Sequence, residues 1–267
     1  MEHLTPAQQH WQKVMAARRG DDESMLSAID ITAYEQMLHR LRADKSQLSR
    51  IQGNERKAEY KREVLPNYRA WIDGVLESQT GIADEVFVNI MIWNIDTHFY
   101  ADALKMAEYA IKFNLPLPDS YNRTLATVLV DEICDRSLAV KASGREGEVM
   151  ASLETLFELE RITAESDMPD GARAKLYKVI GLTLKDDDKQ QEQALDYLQR
   201  AILADDGVGV KKEIEQLLRA LAKKNNEKLA EQAKASDATT DVEPKVKKTT
   251  TVAKKKTTTS SKKAVKS

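Results

Sequence analysis

The string that most resembles a reactive centre is Pro169-Asp170 followed by Asp187-Asp188-Lys189. It spells a PD…(D/E)xK pattern, in which acidic side chains hold a divalent metal that activates water while the lysine stabilises developing charge. On that reading Asp170 and Asp187 are the catalytic metal ligands, Lys189 is the charge stabiliser, and Mg²⁺ is the implied cofactor. The context argues for a plainer role. Asp170 falls in the first turn of a predicted helix, where acids complement the macrodipole, and Asp187 to Lys189 fall in a polar loop. Asp131, Glu132 and Asp135 share one predicted helical face, which reads as a solvated surface. Other chemistries find less. Ser143-Gly144-Arg145-Glu146-Gly147 lacks the lysine-serine/threonine step of a phosphate loop. His3, His10, His39 and His98 form no HExxH, and a single cysteine, Cys134, builds no cysteine-rich zinc site. No metal site is expected on these grounds, and no Gly-x-Ser-x-Gly nucleophile elbow is present.

Basic side chains form the second constellation. Arg40, Arg42, Lys45, Arg50, Arg56, Lys57, Lys61 and Arg62 all fall within one predicted helical region, interleaved with Glu55, Glu59 and Glu63. They read either as phosphate contacts or as a salt-bridged exposed helix. Lys245, Lys247, Lys248, Lys254, Lys255, Lys256, Lys262, Lys263 and Lys266 crowd residues 244–267, nine lysines without an acid. Such a cluster neutralises phosphates and releases counterions without reading bases. The alternative is a solubilising tail, or one that contacts the chain's own acidic middle. That middle, residues 72–243, carries 20 basic and 33 acidic residues, or −13, which the overall net charge of −2 conceals.

The elements that carry these residues read as helices throughout. Of 267 residues only 10 are Gly and 6 are Pro, which favours helix over a turn-rich β fold. Thr5-Pro6-Ala7-Gln8 is an N-cap, a first-turn proline and a capping-box glutamine, opening a short helix to about residue 19. Tyr34, Met37, Leu38, Leu41, Leu48 and Ile51 recur at helical spacing over 32–65. If continuous, that helix is on the order of 45–50 Å long at 1.5 Å per residue. Gly53-Asn54 is the expected interruption and Pro66 the expected end or bend. Residues 82–204 read as stacked helical hairpins. Ala103-Leu104 with Ala110-Ile111 matches Ala194-Leu195 with Ala201-Ile202, a tetratricopeptide-like spacing of small residues. A last helix is expected over 210–234, and 237–267 lacks the apolar surface to order itself.

The expected organisation is therefore all-α: an N-terminal arm with a short helix over 1–31, a long charged helical region over 32–78, a hairpin domain over 79–235 and a disordered basic tail over 236–267. No apolar run approaches the roughly 20 residues of a membrane span, no signal-peptide core is evident, and one cysteine suits a reducing compartment, so a cytoplasmic protein is expected.

Several strings, met in order, carry a family likeness: Tyr34-Glu35-Gln36-Met37-Leu38, Lys57, Lys61-Arg62-Glu63, Leu65-Pro66, and Trp71 with Gly74-Val75-Leu76. Asp167-Met168-Pro169-Asp170, Ala174-Lys175-Leu176, Gly181-Leu182 and Gly209-Val210-Lys211-Lys212-Glu213-Ile214-Glu215 continue it. Over about residues 30–220 the chain resembles the phage small terminase subunits, a group sometimes labelled terminase endonuclease subunits, and its basic tail is similar too. The resemblance implies recognition of the packaging, cohesive-end site on double-stranded viral DNA by a ring-shaped homo-oligomer. It implies a large subunit that carries the ATPase, so that ATP is expected there and not on this chain. It transfers no catalytic residue. Two alternatives stay open, that this chain is itself the metal-dependent endonuclease, or that it is a helical-repeat scaffold that binds protein and no DNA.

Overall fold

The computed structural model describes residues 4–19, 28–118, 121–144 and 150–237. Eleven α-helices and two short 3-10 turns occupy them, with no strand among the described residues. The all-α expectation holds. The described residues fall into two units divided between Leu221 and Ala222. The first holds the candidate site.

Helix α1 (Pro6–Arg18) opens as its sequence directs: Thr5 caps Gln8, and the Gln8 side chain returns to the Thr5 backbone. Met15 and Ala16 are buried where α1 meets α4 (Arg69–Ser78). Gly74 makes that crossing feasible, because a Cβ there would stand 2.2 Å from the Lys13 carbonyl oxygen and 2.8 Å from the Ala16 Cβ. The short N-terminal helix is thus seated on the body rather than standing off as an arm.

Between them, α2 (Ala28–Arg50) and α3 (Asn54–Val64) are separated by Ile51-Gln52-Gly53. The break falls at the expected glycine, and the chain then reverses. The Tyr60 hydroxyl donates to Asp44 Oδ1 at 2.7 Å, whereas a continuous helix would hold these residues about 24 Å apart. A 3-10 turn (Leu65–Asn67) follows, as Pro66 requires, and Tyr68 donates to the other Asp44 oxygen at 2.6 Å. The extended rod is therefore a helical hairpin closed on one carboxylate.

At the centre lies α5 (Glu85–Asp96), in which every residue from Val86 to Ile95 is buried. A helix apolar on all sides must be enclosed, and α2, α3 and α6 (Tyr100–Lys112) surround it. Then come α7 (Leu125–Ser143), α8 (Leu153–Thr163), α9 (Asp170–Leu184) and α10 (Gln191–Ala204), with Thr124 and Ser152 capping α7 and α8. The small residues proposed to let helices approach are buried: Ala103 and Ala110 on α6, Ala194 and Ala201 on α10. A Cβ at Gly181 would stand 2.7 Å from Leu198 Cδ2 and 3.2 Å from the Ala194 carbonyl oxygen, so α9 and α10 are nearly in backbone contact. Helix α11 (Lys211–Asp237) begins against this hairpin pair, with Val210 and Leu217 buried.

Candidate nucleic-acid interface

The α2–α3 hairpin sorts its eight cations into two sets. Along α2, Ala33, Met37, Leu41 and Leu48 are buried, which turns Arg42 and Arg50 to the opposite, exposed face. Eight residues separate these arginines, about 12 Å along the axis. Arg56 is exposed and Lys57 half-buried in the first turn of α3. None of these four has an ion-pair partner among the described residues. Arg50, Arg56 and Lys57 all flank the Ile51-Gln52-Gly53 turn. Gly53 caps α3 without a side-chain hydrogen bond, so the first backbone N–H groups of α3 face the same turn unanswered by a side chain. Free helix N-termini and arginines both favour anions.

The other four cations have partners, three of them on another element. Arg40 Nη1 donates to the Asn67 carbonyl at 3.0 Å, tying α2 to the 3-10 turn. Lys45 faces Glu85 at 3.4 Å, and Arg62 faces Glu55 at 3.4 Å. Lys61, mostly buried, is ion-paired with Asp96 at the end of α5. As phosphate contacts Lys61 and Arg40 are poor choices, because each would have to leave a partner on another element. The tail residues Lys245 to Lys266 lie outside the described residues.

Beneath the hairpin is a buried carboxylate that the sequence did not signal. Asp84 Oδ2 accepts from Arg19 Nη1 at 3.0 Å and from Trp71 Nε1 at 3.0 Å, and Oδ1 accepts from the Phe87 backbone N–H at 2.9 Å. Arg19 lies over the Tyr34 ring, 3.6 Å from its centroid, and Tyr34 stacks on Trp71. Burial pushes the Asp84 carboxyl above its ordinary value, against the pull of Arg19 and the hydrogen bonds. Asp44 and Asp84 together fix where α2 and α3 stand. Burial and the hydrogen bonds to Asp44 likewise raise the hydroxyl pKa of Tyr60 and Tyr68.

The nuclease-like string does not assemble. Asp170 is the exposed first residue of α9, whereas Asp187 and Lys189 follow its other end, about 21 Å away along the axis. Asp187 Oδ1 accepts from the Lys189 backbone N–H at 2.9 Å, which is a loop contact. Among the described residues no three His, Cys, Asp or Glu side chains are grouped as a metal ion would need. Asp131 and Asp135 share Lys175 at 2.8 and 2.7 Å, and Asp131 also meets Arg123. Cys134 is buried, with its thiol pushed up by desolvation.

The profile of the phage small terminase subunit family matches residues 38–171. The terminase endonuclease subunit of Escherichia phage P2 is 38% identical over 240 residues, covering 90% of this chain and 95% of that relative. No solved structure matches. The chain belongs to the phage small terminase subunit family, and its role is that of a terminase small subunit. The matched span begins within α2 and includes the rest of the hairpin, Asp84 with Trp71 and Phe87, and α5 to α8 whole, while Arg19 and Tyr34 precede it.

Proposed function

We propose that this chain holds double-stranded viral DNA at the packaging site and presents it to the large ATPase subunit for cutting and packaging into the procapsid. The carrying observation is the α2–α3 hairpin, where Arg42, Arg50, Arg56 and Lys57 stand free of ion pairs among the described residues and the last three flank the α3 N-terminus. Phosphates satisfy both features at once. The nine lysines of 245–266 add sequence-independent affinity, and homo-oligomerisation in a ring multiplies it. Among the described residues no helix is long and apolar enough to cross a membrane, and the work is assigned to the host cytoplasm.

The test is equilibrium binding to packaging-site and scrambled duplexes across a salt series. Replacing Arg42, Arg50, Arg56 and Lys57 by Ala together should make the slope of log K against log salt shallower by about 3.6, at about 0.9 per lost phosphate contact. An unchanged slope removes the hairpin turn from the DNA surface. Lys61→Ala should instead lower stability with little change in slope, since its partner is Asp96.

A second reading draws on the phage P2 relative, which is named as an endonuclease subunit. On it this chain makes the cut itself with Mg²⁺, in the absence of the large subunit. Asp170 and Asp187 do not fit one metal ion, lying at opposite ends of α9, so that reading needs ligands other than the PD…(D/E)xK string.

A further inference from the structure

A groove of about 810 Å³ opens between α1, α4 and α6, floored partly by α5 and the 3-10 turn. Its walls are two helical faces at matching spacing: Pro6, Gln9, His10 and Lys13 on α1, then Phe99, Asp102 and Lys105 at the start of α6. Leu65, Ile72, Leu76, Ile90 and Met106 make its floor apolar. Phe99, unusually for a large apolar side chain, is 45% exposed at the mouth. The width is preset. Gly74 locks α1 onto α4, and Arg69 on α4 donates to Asp102 on α6 at 3.0 Å. Such a groove loses little freedom on binding.

Its charges are unevenly answered. Both lining acids, Asp73 and Asp102, contact Arg69, and Lys13 is paired with Glu77 at 2.6 Å. Lys105 is exposed with no ion-pair partner among the described residues, and Arg62 has only its 3.4 Å contact to exposed Glu55. The rim thus carries spare positive charge above an apolar floor. Duplex DNA matches the rim and wastes the floor, whereas an amphipathic helix with acids beside its apolar stripe matches both. No α2 residue lines the groove, so it is a surface apart from Arg42 and Arg50.

We propose that this groove docks an acidic amphipathic helix of the large terminase subunit. Its apolar stripe would lie on Leu76 and Phe99, and its carboxylates would meet Lys105 and Arg62. The chemistry of the occupant follows from the groove, while its source rests on the small-subunit reading. Phe99 and Lys105 are the residues to change, since Phe99 caps α6 without a side-chain hydrogen bond and Lys105 holds no ion pair among the described residues.

The experiment measures the affinity of the full chain for the purified large subunit, with DNA binding, sedimentation and thermal unfolding recorded on the same samples. Phe99→Ala with Lys105→Glu should weaken the complex by about tenfold or more, leaving the DNA salt slope and sedimentation unchanged. Lys105→Glu alone, at an exposed position, should weaken it about threefold and guards against an unfolding artefact in the double variant. Wild-type affinity in both variants overturns the proposal. So does a loss of DNA binding with large-subunit affinity intact, which makes the groove a nucleic-acid site. A change in sedimentation with affinity intact overturns it in favour of a contact between copies of this chain. If the wild type itself forms no complex, the assignment of the large subunit as partner fails together with the groove.

Discussion

The first six helices and the hairpins that follow them bury their charge to different depths. In α1 to α6, carboxylates are the hubs. Asp84 gathers Arg19, Trp71 and the start of α5 across 65 residues of chain, and Asp44 gathers two tyrosines from beyond the hairpin turn. In α7 to α10, small residues bring the helices together, with Gly181 against Leu198 and with Ala174, Ala194 and Ala201 fully buried. Carboxylates there sit nearer the surface, with Lys175 shared by Asp131 and Asp135, and among the described residues Glu160 on α8 alone reaches Tyr197 and Arg200 on α10 in the manner of Asp44. The difference explains a feature of the candidate interface that charge counting conceals. Where acids are structural hubs, some cations are consumed in holding them or each other's elements, and only the remainder is available to a polyanion. Arg19 and Lys61 are consumed in this way, while Arg42, Arg50, Arg56 and Lys57 are left over.

The largest effect should come from breaking the hub. Asp84→Ala leaves the buried Trp71 Nε1 without an acceptor, strips Arg19 of its carboxylate so that only the Ala83 carbonyl remains, and removes the cap of α5. A loss of about 3–5 kcal/mol is expected in urea unfolding, the magnitude for removing one partner of a buried pair. A loss below about 1 kcal/mol would mean that Asp84 is no hub and would erase the contrast.

The same substitution placed in each region sharpens it. Gly74→Ala drives a methyl into the Lys13 carbonyl at 2.2 Å, a backbone atom that moves only if α1 moves. Gly181→Ala meets Leu198 Cδ2 at 2.7 Å, the end of a side chain with other rotamers, although the Ala194 carbonyl oxygen at 3.2 Å limits the room. Overpacking costs about 1–3 kcal/mol, and replacing a helical glycine returns about 0.5–1. Gly74→Ala is therefore expected near the top of that range and Gly181→Ala near its bottom, read as the difference in urea midpoint. Equal losses would show that α9 is as rigidly seated as α1.

Local signals were legible and cross-chain ones were not. Thr5-Pro6-Gln8 announced the start of α1, Gly53 the break after α2, and Pro66 the turn before α4, because each acts on its own backbone within a few residues. The helix expected to begin at residue 82 begins at Glu85, with Asp84 as its buried N-cap, since an apolar stripe reports burial and not where a chain enters it. The division of the hairpin's cations was invisible for the same reason. Spacing within a helix shows that Lys57 and Lys61 are neighbours. It does not show that Asp96, 35 residues on, takes one of them. The PD…(D/E)xK string was readable locally, as an acid in a first helical turn and a polar loop, and the length of α9 holds its two halves apart.

The smallest effect carries the opposite sign and tests the peripheral acids of the later hairpins. Glu132 on α7 is raised above the ordinary glutamate value, first by burial and then by the charges of Asp96, Asp135 and Asp131, against a weaker pull from Lys61. A carboxyl whose folded value is raised binds its proton more tightly in the folded chain, so its ionisation costs stability. That cost is absent below the unfolded value and grows as pH rises through the raised folded one. Glu132→Gln abolishes it. Because the side chain is partly in water, the gain should be a few tenths of a kcal/mol at pH 7, and it should vanish near pH 4. Urea midpoints at the two pH values decide the matter. A loss at pH 7 would make Glu132 a stabilising acceptor like Asp44, and the division between hub acids and peripheral acids would have to be drawn elsewhere than between α6 and α7.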